Sequence, residues 1–432
     1  MAAQSSLVLL GVFLVLAALG IPLALSIVAA AIAGVLLVAP FDMALFTAAQ
    51  KMLASLDAFS LLAVPFFILS GVIMNSGGIA IRLVNFAKLI AGRIPGSLTQ
   101  TNIAGNMLFG CISGSAIAAS TSIGGVMIPL QANEGYDREF AAAANIASAP
   151  TGMLIPPTTA FIIYALVSGG TSVGALFLGG AVAGSLWGLG LMIVTFIIAK
   201  KRGYSVSTPV RPSEAVKIVV EALPSLFLIV LIIGGIVLGV FTAVEASAIA
   251  VVYTMVLAFL VHRTVPFARF PSFLLETAEM TGAIMLLLAA SAALSFAMAF
   301  TGIPAAVTSL ILGISDNPYV VLLIINVVLL VVGCFMDIGP AILIFTPILL
   351  PIAMKVGMDP VQFGVVLIYN LAIGTITPPV GTGLYVGASI GKVKVERAVV
   401  ALLPFYVVIL AILLLVTYVP SVTMALPRYF GM

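Results

Sequence analysis

The chain has few charged residues and few of the side chains that form metal centres or disulfides. Only 7% of its 432 residues are charged, and it contains one histidine, one tryptophan and two cysteines. A single histidine cannot form a histidine cluster around a metal. Cys111 and Cys334 each lie beside a glycine in an apolar segment, which predicts free packing residues rather than a disulfide. A net charge of +3 without a basic stripe argues against a nucleic-acid surface.

Hydrophobic residues make up 63% of the chain, and the mean hydropathy is +1.33. A water-soluble surface does not tolerate such values. The long apolar runs do not alternate with polar residues, which excludes a membrane β-barrel. They predict an all-α polytopic membrane protein with about ten to twelve crossings or re-entrant pieces. No basic residue precedes the first run, so we interpret that run as a retained span.

Basic residues concentrate in one polar connection at positions 200–217, which contains Lys200, Lys201, Arg202, Arg211 and Lys217. The positive-inside rule predicts that this connection is cytoplasmic. It also lies between two halves of the chain that resemble each other.

The two halves share landmarks in the same order and at an almost constant spacing. The landmarks Gly110-Cys111, Pro129, Asp137, Gly152 and Pro156-Pro157 recur in the second half as Gly333-Cys334, Pro351, Asp359, Gly374 and Pro378-Pro379. Such a match indicates an internal duplication. Repeats in secondary transporters are commonly inverted around a site near the bilayer midplane, so we predict two inverted repeats. A parallel repeat would leave the same sequence similarity.

Each half contains two interruptions of its apolar sequence. The first is a hairpin-like segment, at 102–131 and 331–355, and the second is a Gly-x-x-x-Pro-Pro unit inside the segments 140–168 and 361–390. Proline leaves helix carbonyls without partners, and such carbonyls are tolerated in a membrane where they line a cavity or bind a cation. Small residues are also common at ordinary helix contacts, which remains the alternative for any single serine. The paired breaks together favour a site.

Asp337 is the only charged residue between Asp316 and Lys355, and it lies in a glycine- and proline-broken part of an apolar segment. A carboxylate in hydrocarbon costs roughly 2.5 to 3.5 kcal/mol on insertion scales, so such a residue normally faces a cavity, an ion or a partner. Asp337 is therefore a functional candidate. The alternative is that it caps a turn near the membrane interface.

These motifs resemble a known family over essentially the whole chain. Residues 110–116, Tyr136-Asp137, 150–157, Met336-Asp337 and 370–379 are similar to the large membrane subunit of TRAP transporters, the tripartite ATP-independent periplasmic systems. Residues 241–246 depart from the Thr-Pro-Thr-Glu pattern that is usual there. The resemblance implies a bacterial or archaeal inner-membrane, multi-pass importer with re-entrant hairpins and broken helices, the elevator-type ion-transporter fold.

The resemblance also implies partners and cargo. These are a periplasmic substrate-binding protein, a small four-helix membrane subunit, sodium as the coupling ion without another cofactor, and small organic acids such as C4-dicarboxylates, sugar acids or sialic acid. It implies scaffold and arm helices at 1–95, a first transport region at 96–175, scaffold, inter-repeat loop and second arm at 176–315, a second transport region at 316–392 and a C-terminal helix at 393–432.

By position, the family's cation sites correspond to Ser113, Gly114, Ser115, Asn145, Ser148, Gly152, Asp337, Thr346, Gly374 and Thr377. The candidate substrate residues are Ser120, Thr121, Thr151, Pro156, Thr158, Thr375 and Pro378.

Two other functions fit parts of the sequence. The first is a stand-alone cation-coupled dicarboxylate symporter of the same superfamily. The more remote alternative is an intramembrane protease that uses a Ser/His dyad. His262 is the only histidine, but it lies beside Arg263 at a membrane boundary and no convincing nucleophile motif accompanies it. We therefore expect a transporter and not an enzyme.

Overall fold

The computed structural model describes residues 2–76, 78–204 and 211–432, and within these ranges the chain is helical with no β-strand. This confirms the predicted all-α class. The helices before the basic connection are α1 (Ala2–Ala18), α2 (Leu23–Leu36), α3 (Phe41–Leu56), α4 (Ala63–Ser76), α5 (Ile79–Ala91), α6 (Ser97–Ser113), α7 (Ala116–Asn133), α8 (Arg138–Ser148), α9 (Thr159–Val167) and α10 (Val173–Arg202). Short 3₁₀ turns at Phe59–Leu62 and Ala149–Met153 precede α4 and follow α8.

The helices after the connection are α11 (Pro212–Val237), α12 (Ala243–Met255), α13 (Phe270–Thr301), α14 (Ile303–Ile314), α15 (Pro318–Phe335), α16 (Ile338–Lys355), α17 (Pro360–Gly374), α18 (Thr382–Gly391), α19 (Val395–Tyr418) and α20 (Pro420–Tyr429). A π-helical turn, Val256–Val261, extends α12, and a 3₁₀ turn, Phe267–Arg269, precedes α13. Part of the basic connection, positions 205–210, lies outside the described residues, so its predicted cytoplasmic location stays a prediction.

Eight helices of the described residues are long and apolar enough to cross a membrane, and three further apolar helices are shorter. This agrees with the predicted number of spanning or re-entrant pieces and with a multi-pass membrane protein. The 35-residue span Phe267–Thr301 is the longest of the eight. The other half has two pieces in the corresponding place, α3 and the span Phe59–Ser76.

The duplication seen in the sequence extends to the order of the helices. Helices α8 and α17 begin at equivalent positions of the two halves, directly after Asp137 and Asp359, and α10 and α19 begin at the same spacing. Helix α2 packs on α13, and its counterpart α12 packs on α4, so each half contributes a helix to the other. The inverted orientation of the halves and the exact domain bounds stay predictions.

Asp137 and Asp359, one of the repeated landmarks, begin the two equivalent helices α8 and α17. Each side chain accepts a hydrogen bond of 2.8 Å from a backbone N–H in the first turn, that of Glu139 or Val361. Aspartate is among the best N-caps because its oxygen satisfies a donor that has no helical partner. The repetition of this aspartate is therefore explained by helix capping.

The segment 241–246, which departs from the family pattern, still forms a regular helix start. Thr242 Oγ1 accepts from Glu245 N at 3.2 Å, and Glu245 Oε2 accepts from Thr242 N at 2.8 Å. This reciprocal pair is a capping box, which satisfies two otherwise unpaired N–H groups of α12. The departure from the pattern thus leaves the local turn intact.

The core of the molecule lies around the two broken helices. Every residue of α17 after Pro360 is buried, and nearly all of α8 is. Trp187 of α10 is fully buried, and its indole N–H donates to Ala147 O at 2.9 Å. Its ring lies 4.6 Å from that of Tyr369 of α17. Through this hydrogen bond and this ring contact, Trp187 joins α8 to α17, the broken helices of the two halves. The breaks therefore lie in a packed environment.

Candidate functional site

Each broken helix touches a hairpin through a pair of glycines. A Cβ atom added to Gly152 would lie 2.3 Å from the Cα of Gly110, and one added to Gly374 would lie 2.2 Å from the carbonyl carbon of Gly333. The contact is backbone to backbone in both halves. Only glycine allows it, because any side chain would separate the two segments. Gly110 and Gly333 were landmarks of the repeat, but their role as contact partners was not predicted.

The first hairpin turns at the predicted residues. It consists of α6 and α7, which are joined by Gly114 and Ser115, and Gly114 has a φ of 62° that favours glycine. The second hairpin consists of α15 and α16, joined at Met336 and Asp337. Its first arm begins at Pro318, so the predicted segment 331–355 starts too late. The apolar run hid the start, whereas Asn317, which caps α15 through Tyr319 N, marks it.

The tip of the first hairpin faces the Pro-Pro break of the same half. A Cβ on Gly114 would lie 4.0 Å from the carbonyl oxygen of Pro157. Two helices begin here, α7 after its cap Ser115 and α9 after its cap Thr158, whose hydroxyl accepts from Phe161 N at 3.5 Å. Helix N-termini carry unpaired N–H groups and a partial positive charge, which favours an anion.

A cavity of about 380 Å³ lies beside this tip. The hairpin contributes Ser113, Gly114, Ser115, Thr121 and Ser122, and the opposite wall comes from α4 and α13. Glu276 of α13 is the one charged residue among those that line it. The volume lies within the usual range of roughly 300 to 1,000 Å³ for small-molecule sites. The predicted substrate residue Thr121 therefore lines a cavity of suitable size.

Other predicted substrate residues of the first half lie deeper. Thr151 is buried, and its hydroxyl donates to Ser148 O at 2.6 Å. Pro156 and Thr158 are also buried, next to the break. These residues shape the break, whereas direct contact with a ligand in the cavity is open to Thr121.

A buried amide cluster holds the first broken helix. Asn106 Nδ2 lies 2.7 Å from Ser148 Oγ and 3.0 Å from Asn145 Oδ1, and Asn145 Nδ2 donates to Ser120 Oγ at 2.9 Å. Asn106 Oδ1 is buried without a hydrogen-bond partner among the described residues. The predicted residues Asn145, Ser148 and Ser120 are thus brought together. Asn106 was not predicted, although it is an amide residue within the predicted hairpin segment 102–131.

The second half has an analogous cluster. Asn370 Nδ2 donates to Asn326 Oδ1 at 2.7 Å, and Asn326 Nδ2 donates to Thr417 Oγ1 at 3.1 Å. Asn370 lies four positions before Gly374, as Ser148 lies four positions before Gly152, so the two are equivalent in the repeat. Asn370 Oδ1 and the hydroxyl oxygen of Thr346, a predicted cation ligand, are buried without a hydrogen-bond partner among the described residues. Buried polar groups are normally paired, so such oxygens are candidates for an ion or water.

The second break is held by its own hydroxyls and by α19. Thr375 Oγ1 donates to Ala372 O and Thr377 Oγ1 to Ile373 O, each at 2.7 Å. Tyr406 of α19 donates to Ile376 O. Pro378 is exposed, in contrast to the buried Pro156 of the first half. The two breaks are thus equivalent in position but differ in their access to the surroundings.

Asp337 lies at the tip of the second hairpin, where it occupies the N-cap position of α16. Its side chain is exposed and makes no capping hydrogen bond. The alternative that Asp337 caps the turn would need a hydrogen bond from its carboxylate to the first turn of α16, and none is present in this described part of the chain, whereas its role as a cation ligand stays a prediction. The turn leaves the carboxylate free to bind a cation.

The residues of the remote protease alternative do not form a dyad. His262 Nε2 is buried and has no hydrogen-bond partner among the described residues, so no serine hydroxyl contacts it there. The pKa of His262 is lowered by burial and by the charge of Arg82. Cys111 and Cys334 are both free, as predicted.

Residues 10–422 match the family model described as "Tripartite ATP-independent periplasmic transporter, DctM component". The chain belongs to this family. It is 46% identical over 425 residues to the uncharacterized protein YgiK of Salmonella typhimurium, covering 98% of each chain. It is 41% identical over 383 residues to the sialic acid TRAP transporter large permease protein SiaM of Vibrio cholerae, covering 89% of this chain and 90% of SiaM.

The YdaH transporter of Alcanivorax borkumensis has a similar fold, with a TM-score of 0.66, 13% identity and coverage of 90% of this chain and 89% of that one. This likeness concerns the fold alone. Family membership establishes that this chain is a transport protein of the inner membrane rather than an enzyme. It works with a small membrane subunit and a periplasmic substrate-binding protein.

Proposed function

We propose that the chain is the permease of a sodium-coupled, binding-protein-dependent importer of small organic acids. The observation that carries this proposal is a unit that occurs in both halves, in which a hairpin contacts a broken helix through two glycines. Packing alone would not require the same interruption twice. In secondary transporters, unwound carbonyls of broken helices coordinate cations and half-helix N-termini bind anionic groups.

Sodium coupling is supported by the chemistry of the available groups. The breaks and the amide clusters supply amide, hydroxyl and carbonyl oxygens, and three of these oxygens, on Asn106, Thr346 and Asn370, are buried without a hydrogen-bond partner among the described residues. Hard cations prefer such oxygen ligands. Thiols and imidazoles, which softer metals prefer, are nearly absent from the sequence.

The cavity at the first hairpin supports an organic acid as the substrate. Two helix N-termini and several hydroxyls line it, which suits a carboxylate and a polar body on the hairpin side, while the carboxylate of Glu276 lines the opposite wall. The relative SiaM is named for sialic acid, which is itself an acid. We infer that substrate reaches this cavity from the binding protein. It then crosses the membrane as the hairpins and broken helices move as one unit against the scaffold helices.

The test uses the complete transporter in liposomes, with the binding protein carrying a labelled C4-dicarboxylate, sugar acid or sialic acid. An inward sodium gradient should drive uptake, and an equal potassium gradient should not. Sodium should also raise the free energy of unfolding by RT ln(1 + [L]/Kd), about 2.7 kcal/mol at a hundredfold excess over Kd. Equal uptake in the two salts would contradict sodium coupling. Sodium-driven uptake without the binding protein would instead favour the stand-alone symporter.

A further inference from the structure

One buried hydrogen bond joins the second hairpin to the long helix α13. The hydroxyl of Ser291 donates to the carbonyl oxygen of Leu343 at 2.6 Å, and Ser291 is 2% exposed. Leu343 belongs to α16, the second arm of the hairpin. The bond therefore connects a helix of the proposed scaffold with a helix of the proposed moving unit.

The carbonyl of Leu343 is available because of a proline. Pro347 lies one helical turn later in α16, at the position whose N–H would bond to Leu343 O, and proline has no N–H to donate. A buried carbonyl without a hydrogen-bond partner destabilises the structure. Ser291 supplies a donor in place of the missing N–H from outside the helix, so this hydrogen bond exists while α16 lies against α13.

The surroundings of Ser291 allow the bond to break. A cavity of about 240 Å³ lies beside it, and Ser55 and Ser295 also line that cavity. Three serines and six apolar residues line this cavity, and it is large enough to hold water beside the hydroxyls. Water could therefore replace Leu343 as the partner of the hydroxyl when the hairpin moves away, which makes the contact reversible.

The first half has a polar contact between the equivalent pair of helices, although not at the equivalent residues. Ser122 of α7 donates to Asn75 Oδ1 of α4 at 3.1 Å. At the repeat spacing of 222, Leu343 corresponds to Thr121, one residue before Ser122, and Gly125 stands where the second half has Pro347, while α4 occupies the place in its half that α13 has in the other. A polar contact from the second arm of each hairpin to a helix of the proposed scaffold thus occurs twice.

We propose that Ser291 is a positioning residue that stabilises one transport state by holding the carbonyl freed by Pro347. The inference rests on the proposed function, because it assigns the two partners to parts that move relative to each other. Ser291 itself does not contact the ions or the substrate. Its loss should change the ratio of the two transport states.

The experiment is a double-mutant cycle in which the distance between two spin labels reports the transport state. Spin labels are placed on cysteines introduced at Val216 of α11 and Met354 of α16, which are 64% and 52% exposed, after Cys111 and Cys334 have been replaced. Pulsed electron paramagnetic resonance on the complete transporter in liposomes then gives the populations of the two states. The variants are Ser291→Ala, Ser291→Thr, Pro347→Ala and the double variant S291A/P347A.

Ser291→Ala should lower the ratio of the population of the state described here to that of the other transport state. The expected decrease is about three- to tenfold, which corresponds to one hydrogen bond. Ser291→Thr keeps the hydroxyl and should restore the ratio. Pro347→Ala returns an N–H to α16, so Ser291→Ala should have no further effect in that background.

An unchanged ratio in Ser291→Ala, or the same shift in the Pro347→Ala background, would overturn the role of Ser291 while leaving the proposed transport function intact. If the distance between the two spin labels is the same in sodium, in potassium and with substrate-loaded binding protein, the hairpins and broken helices do not move against the scaffold. The inference about Ser291 would then fail together with the proposed transport mechanism.

Discussion

The glycine contact between hairpin and broken helix gives the sharpest prediction. In Gly152→Ala, the new methyl carbon would lie 2.3 Å from Gly110 Cα, 2.5 Å from its carbonyl carbon and 2.8 Å from its oxygen. Ordinary contacts of a Cβ begin at 3.4 Å, and all three neighbours are backbone atoms that cannot rotate away. The two segments must therefore separate by about 1 Å. Overpacking of this kind costs typically about 1 to 3 kcal/mol.

The displacement should harm ion binding more than folding. Metal-ligand distances must hold within about 0.2 Å, so a shift of about 1 Å removes ligands from a site between hairpin and break. We expect Gly152→Ala to lower the free energy of unfolding by about 1 to 3 kcal/mol and to abolish the additional stabilisation by sodium. Thermal unfolding of the complete transporter in sodium and in potassium measures both effects, and sodium-driven uptake should be lost as well.

Gly125→Ala is the matched control. Gly125 lies in α7, is exposed, and a Cβ there would meet nothing within 4 Å. Alanine is favoured over glycine in a helix by about 0.5 to 1 kcal/mol, so this variant should be at least as stable as the wild type and should keep its response to sodium. Wild-type stability and sodium response in Gly152→Ala would show that the glycine contact does not hold an ion site. So would equal losses in both variants.

Three further predictions concern single residues. Asp337→Asn should raise the sodium concentration needed for half-maximal uptake several-fold, since it removes the charge at the second hairpin tip, whereas the exposed Asp316→Asn should not. Asp137 is unsuitable as the control for this substitution, because it caps α8 and pairs with Arg202 at 3.2 Å, so its loss would also affect folding. A cysteine at Ser207, which lies outside the described residues, should resist an impermeant reagent added from the periplasmic side, and efficient labelling would reverse the topology. Thr242→Ala removes the cap of α12 and should lower the free energy of unfolding by about 1 kcal/mol in denaturation, while Thr242→Ser should retain it.

The sequence predicted the fold class and the places where helices break, because both depend on local composition. Apolar runs, the Pro-Pro units and the turn at Gly114 are readable without knowledge of packing. The repeat added support through spacing alone. These features set which segments form the candidate site.

The contacts between segments that are distant in sequence could not be predicted from the sequence. Gly110 and Gly152 lie in separate segments with α7 and α8 between them, and only the packing of α6 against the break shows that they meet. Likewise, the exposure of Asp337 depends on how far a short turn projects from its neighbours. The predicted start of the second hairpin was wrong because hydrophobic periodicity alone does not locate helix ends, whereas the cap Asn317 marks this one.

The lack of charge at the first hairpin and at both breaks bears on coupling. Residues 113–115, 149–158 and 375–381 contain no charged side chain, and Glu276 is the one charged residue that lines the cavity at the first hairpin, so a bound acid meets no fixed positive charge there. An acid bound alone would leave an uncompensated charge in a poorly polar environment, which is costly. A cation at the break carbonyls and an anion at the helix N-termini reduce that cost for each other. Under the proposed function, we expect binding of one to favour binding of the other by the same free energy, which is the reciprocity that a coupled transporter requires.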